Sequence, residues 1–96
     1  MKPLRIAALA EDELRAAKDW YEEQAPGTGR RLVEAIDGLL ERVRENPRLF
    51  PVVHLDIRRA IVPRFPYGVF YRDQPDAILV VGIVHMHRHP DTWMRR

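Results

Sequence analysis

The 96-residue sequence contains no cysteine. Disulfides and thiolate metal sites are therefore excluded, and nothing ties the chain to an oxidising compartment. Lysine is nearly absent as well: Lys2 and Lys18 stand alone, and the other fourteen basic residues are arginines. Long apolar runs are also missing. The longest, Ala77 to Val84 with Gly82 counted as neutral, has eight residues, far short of a membrane span. The opening Met1-Lys2-Pro3-Leu4-Arg5 has no apolar stretch of the secretory kind, so a cytoplasmic protein without membrane association is expected. Internal repeats, low-complexity tracts and linkers are lacking too, and the length fits one domain over residues 1–96.

What is present divides the chain in two. Residues 1–47 carry eight basic and ten acidic groups, a net charge of −2. Residues 48–96 carry eight basic and four acidic groups, a net charge of +4, together with all four histidines, His54, His85, His87 and His89. Arginine's planar fork pairs bidentately with carboxylate or phosphate, so the second half suits an anionic partner.

Hydrophobic periodicity divides the chain at the same place. Leu4 to Leu9 reads as a short strand. Glu11-Asp12-Glu13 places acids in the first turn of a helix, where the dipole favours them. Leu14, Ala17 and Tyr21, with Trp20 beside them, continue that helix from about Ala10 to Gln24. Pro26-Gly27-Thr28-Gly29 breaks it. Leu32, Ile36, Leu39, Leu40 and Val43 then mark a second helix, the clearest periodic segment in the chain, and Pro47 ends it. So short a break makes the two helices an antiparallel hairpin. Asp56 to Val62, Tyr67 to Arg72 and Ala77 to Val84 read as three strands of an antiparallel meander. Tyr67, Val69 and Tyr71 share one face, and the last strand is expected at the centre. Each element has one apolar side to bury. The expectation is an α+β fold of order β-α-α-β-β-β, with the helical hairpin packed on a small antiparallel sheet.

The candidate site residues lie in the second half. Arg64 stands where the third strand begins. If the last strand stays extended past its end, Leu79, Val81, Ile83, His85 and His87 share a face, and Arg88 follows. Two imidazoles beside an arginine are groups able to move protons near neutral pH. Arg58-Arg59 puts one cation on each face of its strand, one of them expected to pair with an acid on the second helix. His85, His87 and His89 form H-x-H-x-H, but a structural metal site normally takes four ligands and only Asp91 or His54 could complete this one. No metal and no cofactor is expected.

These segments, in this order and spacing, resemble the RelE/ParE superfamily of type II toxin–antitoxin toxins. The resemblance is carried by Trp20-Tyr21-Glu22-Glu23-Gln24-Ala25-Pro26-Gly27-Thr28-Gly29, Asn46-Pro47-Arg48-Leu49-Phe50-Pro51, Ile57-Arg58-Arg59, Arg64-Phe65-Pro66-Tyr67-Gly68-Val69-Phe70-Tyr71, and Val84-His85-Met86-His87-Arg88-His89-Pro90-Asp91-Thr92-Trp93. It is nearest to the ParE-like plasmid stabilisation branch. It implies a growth-arresting toxin neutralised by a cognate antitoxin, as a homodimer or within a toxin–antitoxin hetero-oligomer. ParE-like members poison DNA gyrase and are not nucleases. RelE-like members are ribosome-dependent mRNA endoribonucleases. In the nuclease case Arg64, His85 and His87 would be catalytic. In either case Arg58, Arg59, Arg88 and Trp93 would meet the target or the antitoxin. The sequence departs from the nuclease pattern in having no lysine beyond position 18 and Trp93, not a tyrosine, near its end. Gyrase poisoning is accordingly the leading expectation, with mRNA cleavage second and an inactive relative that only binds antitoxin third.

Overall fold

A computed structural model describes residues 1–96. The elements are β1 (Leu4–Ile6), α1 (Ala8–Gln24), α2 (Thr28–Glu45), β2 (Val52–His54), β3 (Ile57–Ile61), β4 (Tyr67–Asp73) and β5 (Ile78–His85). The strands form one sheet in the order β1-β5-β4-β3-β2. β2 to β5 run antiparallel to their neighbours, whereas β1 joins β5 in parallel, Leu4 opposite Ile78 and Ile6 opposite Val80. The helical hairpin on a mainly antiparallel sheet agrees with the sequence. Two details differ: β4, not β5, is central, and Val52–His54 adds an edge strand in the stretch between Pro51 and Asp56, where the sequence pattern marks no element.

The start of α1 also differs. Its first turn begins at Ala8, so only Glu11 of the three acids falls in it. Alanine is the best helix former, and Ala8 and Leu9 join the helix once β1 ends at Ile6. Small residues set how α1 lies on the sheet. Ala10 and Ala17 are buried, with Leu14 and Tyr21 half-buried beside them. The turn into α2 is built by close approach. Gly27 has φ +90°, and a Cβ on Gly29 would stand 2.5 Å from the Lys18 carbonyl oxygen. The Glu22 carboxylate accepts the Gly27 N–H at 2.9 Å and the Gly29 N–H at 3.0 Å. These bonds occupy donors that a helix start leaves unpaired, and the Gly27 bond is the main reason the Glu22 carboxyl sits below its ordinary value. α2 then buries Leu32, Ile36, Leu39, Leu40 and Val43, each contributing about 1.5–3 kcal/mol through loss of apolar surface from water. Its last turn carries Arg42 and Arg44, and Asn46 caps it before Pro47.

The face of the sheet toward the helices carries Ala60, Val62, Tyr67, Val69, Tyr71, Ile78, Val80 and Ile83. The opposite face carries Ile57, Phe70, Val81 and Val84, with Val53 and Leu79 at the margin. One bulge decides how β5 contributes to both. Phe70 pairs with Gly82 but Tyr71 pairs with Val80, so Val81 has no partner across β4. An extra residue shifts the alternation of side chains by one. Leu79 and Val81 therefore face away from the helices while Ile83 faces them, which corrects the expectation that all three share a face with the histidines.

The chain after β5 covers the outer face. Trp93 stacks on Phe70 with ring centroids 4.3 Å apart and planes 16° from parallel. The tail crosses β5 at Gly82, where a Cβ would meet the Arg96 guanidinium at 2.9 Å and the Trp93 Cβ at 3.5 Å. Arg96 then reaches the helix side. Its Nη1 donates to Glu13 Oε1 at 2.6 Å and to the Val81 carbonyl at 3.2 Å, and its Nη2 to Glu13 Oε2 at 3.0 Å. Glu13 Oε1 also accepts the Ile83 N–H at 3.1 Å. β1 pairs with β5 only as far as Val80. The Glu13–Arg96 pair thus satisfies backbone groups that this edge strand is too short to reach. No helix is long and apolar enough to cross a membrane.

Candidate functional site

Of the grooves where the hairpin meets the sheet, two hold candidate residues. The first, about 420 Å³, lies between α1 and the tail and is lined by Glu13, Ala16, Trp20, Tyr67, His85 and Arg88 among others. The second, about 720 Å³, lies between the hairpin and the β3–β4 connection and is lined by Tyr21, Thr28, Arg31, Glu34, Ala35, Pro63, Arg64 and Phe65. A row of aromatic rings separates them. Phe65 to Tyr21 is 5.2 Å, Tyr21 to Tyr67 is 6.2 Å, and Tyr67 to His85 is 5.2 Å, all edge-on. Arg64 and His85 therefore line different grooves with Tyr21 and Tyr67 between them.

His85 ends β5 opposite Tyr67. Its Nδ1 accepts the backbone N–H groups of Arg88 at 3.0 Å and His87 at 3.2 Å. Two donors aimed at Nδ1 leave the ring proton on Nε2. Burial is the main cause that lowers the His85 pKa, and the Arg88 charge acts in the same direction. The ring is a neutral acceptor that shapes the turn out of the strand. To serve as a base through Nε2 it would have to move its proton to Nδ1 and lose both backbone bonds. That turn also ends the extended conformation, so His87 lies in the turn, exposed, and not on the strand face with His85.

The four residues assigned to partners have different fates. Arg58, half-buried, donates from Nη1 to the Phe50 carbonyl at 2.8 Å and weakly to that of Arg48 at 3.4 Å. It clamps the loop that leads into β2, and it forms no ion pair with α2, contrary to the expectation for this arginine pair. Trp93 is buried, with its indole N–H donating to the Pro90 carbonyl at 2.6 Å. Arg59 projects from the opposite face of β3, where its Nε is buried without a hydrogen-bond partner and its guanidinium has no carboxylate. Arg88 is exposed, with its guanidinium 5.0 Å from the centre of the Trp20 ring, a cation–π arrangement. Arg59 and Arg88 remain free to meet an anion, while Arg58 and Trp93 are engaged inside the fold. His54 stands edge-on to Trp93 at 6.0 Å, and no group of three or more histidine or acidic residues could hold a metal ion.

Arg31 was not singled out by the sequence reasoning. It shares the second groove with Arg64, and neither forms an ion pair, since the nearby Glu34 is taken by Arg30 at 3.5 Å. The available signal was Thr28, Arg31 and Ala35 at i, i+3 and i+7, a stripe on the side of α2 that its leucines leave free. Glu13 and Arg96 were also missed; 83 residues separate them, and no local pattern links such a pair.

Comparison with known proteins gives the same architecture. A family model described as the ParE toxin of type II toxin-antitoxin system, parDE, matches residues 4–90. A solved structure titled "Chromosomal ParDE TA system from P. aeruginosa" is similar with a TM-score of 0.79 at 19% identity, over 88% of this chain and 96% of that one. At that identity the likeness speaks for the fold. No curated protein matches the chain.

Proposed function

The chain belongs to the ParE toxin family of type II toxin–antitoxin systems, and from that premise we propose that it arrests growth by binding and poisoning DNA gyrase while an antitoxin holds it inactive. The observation that favours binding over cleavage is the state of the nuclease candidates. RNA cleavage by attack of the 2′-hydroxyl needs a base, an acid and a cation within reach of one phosphate. Here Arg64 and His85 line separate grooves, and His85 Nδ1 is committed to two backbone donors. A protein-binding inhibitor requires no such convergence.

The second groove offers the antitoxin a seat. Its apolar and aromatic walls, with the uncompensated charges of Arg31 and Arg64, suit an acidic segment that folds as it binds. Antitoxin affinity should fall about tenfold or more in Arg64→Glu and should weaken with salt in the wild type, as measured by calorimetry. Equal affinity in both proteins would move the antitoxin off this groove.

Controlled expression in a bacterial host carrying an SOS reporter tests the target. Growth arrest with SOS induction and filamentation is the expected result. Arrest without SOS, with protein synthesis stopping first, would replace gyrase poisoning by ribosome-dependent mRNA cleavage. An unaffected culture would leave only antitoxin binding.

A further inference from the structure

Leu55 and Arg64 are the two residues other than glycine with positive φ, at +51° and +68°. Leu55 is the more unusual. It occupies the first of two central positions in the turn between His54 and Ile57, which pair across β2 and β3. A tight hairpin turn with positive φ at that position prefers glycine, because a Cβ is strained there. Leucine, moreover, gains nothing by packing in return, since it is 76% exposed. The turn is held in this shape from outside. His54 packs edge-on against Trp93, and the Asp56 carboxylate lies 3.3 Å from Arg72 Nε. An apolar side chain is thus held outward on a braced turn at a cost in stability, and strain of this kind marks positions kept for contact with something else.

The surroundings describe that something. Val52, 50% exposed, opens the edge strand that ends at this turn, and Leu49, 62% exposed, stands in the loop before that strand. Of the charged groups in residues 48–58, Arg58 is engaged by the loop carbonyls and Asp56 by Arg72, which leaves Arg48. Arg48, its side chain 81% exposed, reaches only the Asp73 carboxylate, at 3.7 Å, and Lys2 holds that carboxylate as well. An apolar knuckle beside exposed arginine fits an apolar pocket with an acidic rim. Leu55 and Arg64 also lie at opposite ends of β3, so the knuckle is remote from the groove assigned to the antitoxin.

We infer that the β2–β3 turn, with Leu55 as its apical anchor, is the surface that engages the target, through an acid-rimmed apolar pocket on the target protein. This rests on the reading of the chain as a protein-binding toxin.

The test compares wild type with Leu55→Gly and Leu55→Asn, both of which accept positive φ, and with Leu9→Ser, a control at an α1 residue 50% exposed. Each is purified with its antitoxin. Four readings are taken: thermal midpoint, antitoxin affinity, inhibition of supercoiling by purified gyrase, and growth arrest. Leu55→Gly should raise the midpoint, keep antitoxin affinity within about twofold, and weaken both gyrase inhibition and growth arrest by about tenfold or more. Leu9→Ser should keep full activity. A rise in stability with a loss of activity is an outcome that a merely structural leucine would not give. Undiminished growth arrest in both Leu55 variants would overturn the inference. So would lost antitoxin affinity with intact gyrase inhibition, or loss of a wild-type dimer in the variants, since the knuckle would then belong to the antitoxin or to a second copy of the chain. A variant that fails to fold would overturn the strain argument. A wild type that arrests growth without touching gyrase would defeat the gyrase reading alone, and growth arrest by the variants would still decide the knuckle. A wild type inert in both assays would overturn both.

Discussion

The two faces of the sheet are closed by different means. Toward the helices, fifteen buried residues form one cluster with the hairpin as its roof. On the other side, four buried residues lie under a tail anchored by Trp93, which completes their cluster, and by the Arg96–Glu13 pair. The first cover consists of regular helices whose backbone bonds are internal and whose apolar stripe repeats. The second is a segment of turns that depends on one stacked ring, one ion pair and the missing Cβ of Gly82. The helix face should therefore decide whether the chain folds. The tail should decide what the sheet presents to its surroundings.

The sharpest way to break this contrast is to damage each cover and compare. Ile36→Ala, on the fully buried stripe of α2, should cost about 2–5 kcal/mol through lost transfer energy and the cavity left behind, read from urea unfolding. Trp93→Ala should cost about 2 kcal/mol, less than is usual for a buried tryptophan, because the tail can detach without opening the helix side. Hydrogen exchange should show it. The Ile83 amide and residues 86–96 should lose protection while the α2 amides keep theirs. Equal loss in both places would make the two faces one cooperative unit.

A smaller effect sharpens the contrast from within the helix face. The Tyr71 hydroxyl donates to the Pro47 carbonyl at 2.6 Å, and burial pushes its pKa up to about 12. The folded value lies above the ordinary 10.0. This contribution is complete below that value and is lost as pH rises toward and through 12. Tyr71→Phe should cost about 1 kcal/mol at neutral pH and should flatten the alkaline fall in stability, followed by urea midpoints across that range. A variant as alkali-sensitive as the wild type would place the titrating group elsewhere.

The helix face was largely legible. The stripe from Leu32 to Val43 repeats at helical spacing, Pro47 stops it, and Tyr67, Val69 and Tyr71 alternate without interruption, so local rules and the fold agree. The expected strand face through Leu79, Val81, Ile83, His85 and His87 failed at Val81. A bulge is a property of how two strands register, and neither strand alone records it. β2 was hidden for a related reason. Val52–His54 is too short to show alternation and takes its identity from pairing with β3. Arg58 and Arg59 were correctly placed on opposite faces, but the partner of Arg58 is the backbone of a loop, where no charge pattern points.

The sequence by itself determined the helical hairpin, the order of the main strands and the resemblance to the ParE-like toxins, since these follow from periodicity, breakers and motif spacing along the chain. Tertiary structure alone decided that β1 joins in parallel, that the tail covers the outer face, and that Arg64 and His85 stand apart. It alone left Arg31 and Arg64 uncompensated and held Leu55 outward. These depend on which distant residues come to share a few ångströms, and that is settled only when the sheet, the hairpin and the tail compete for the same apolar surface.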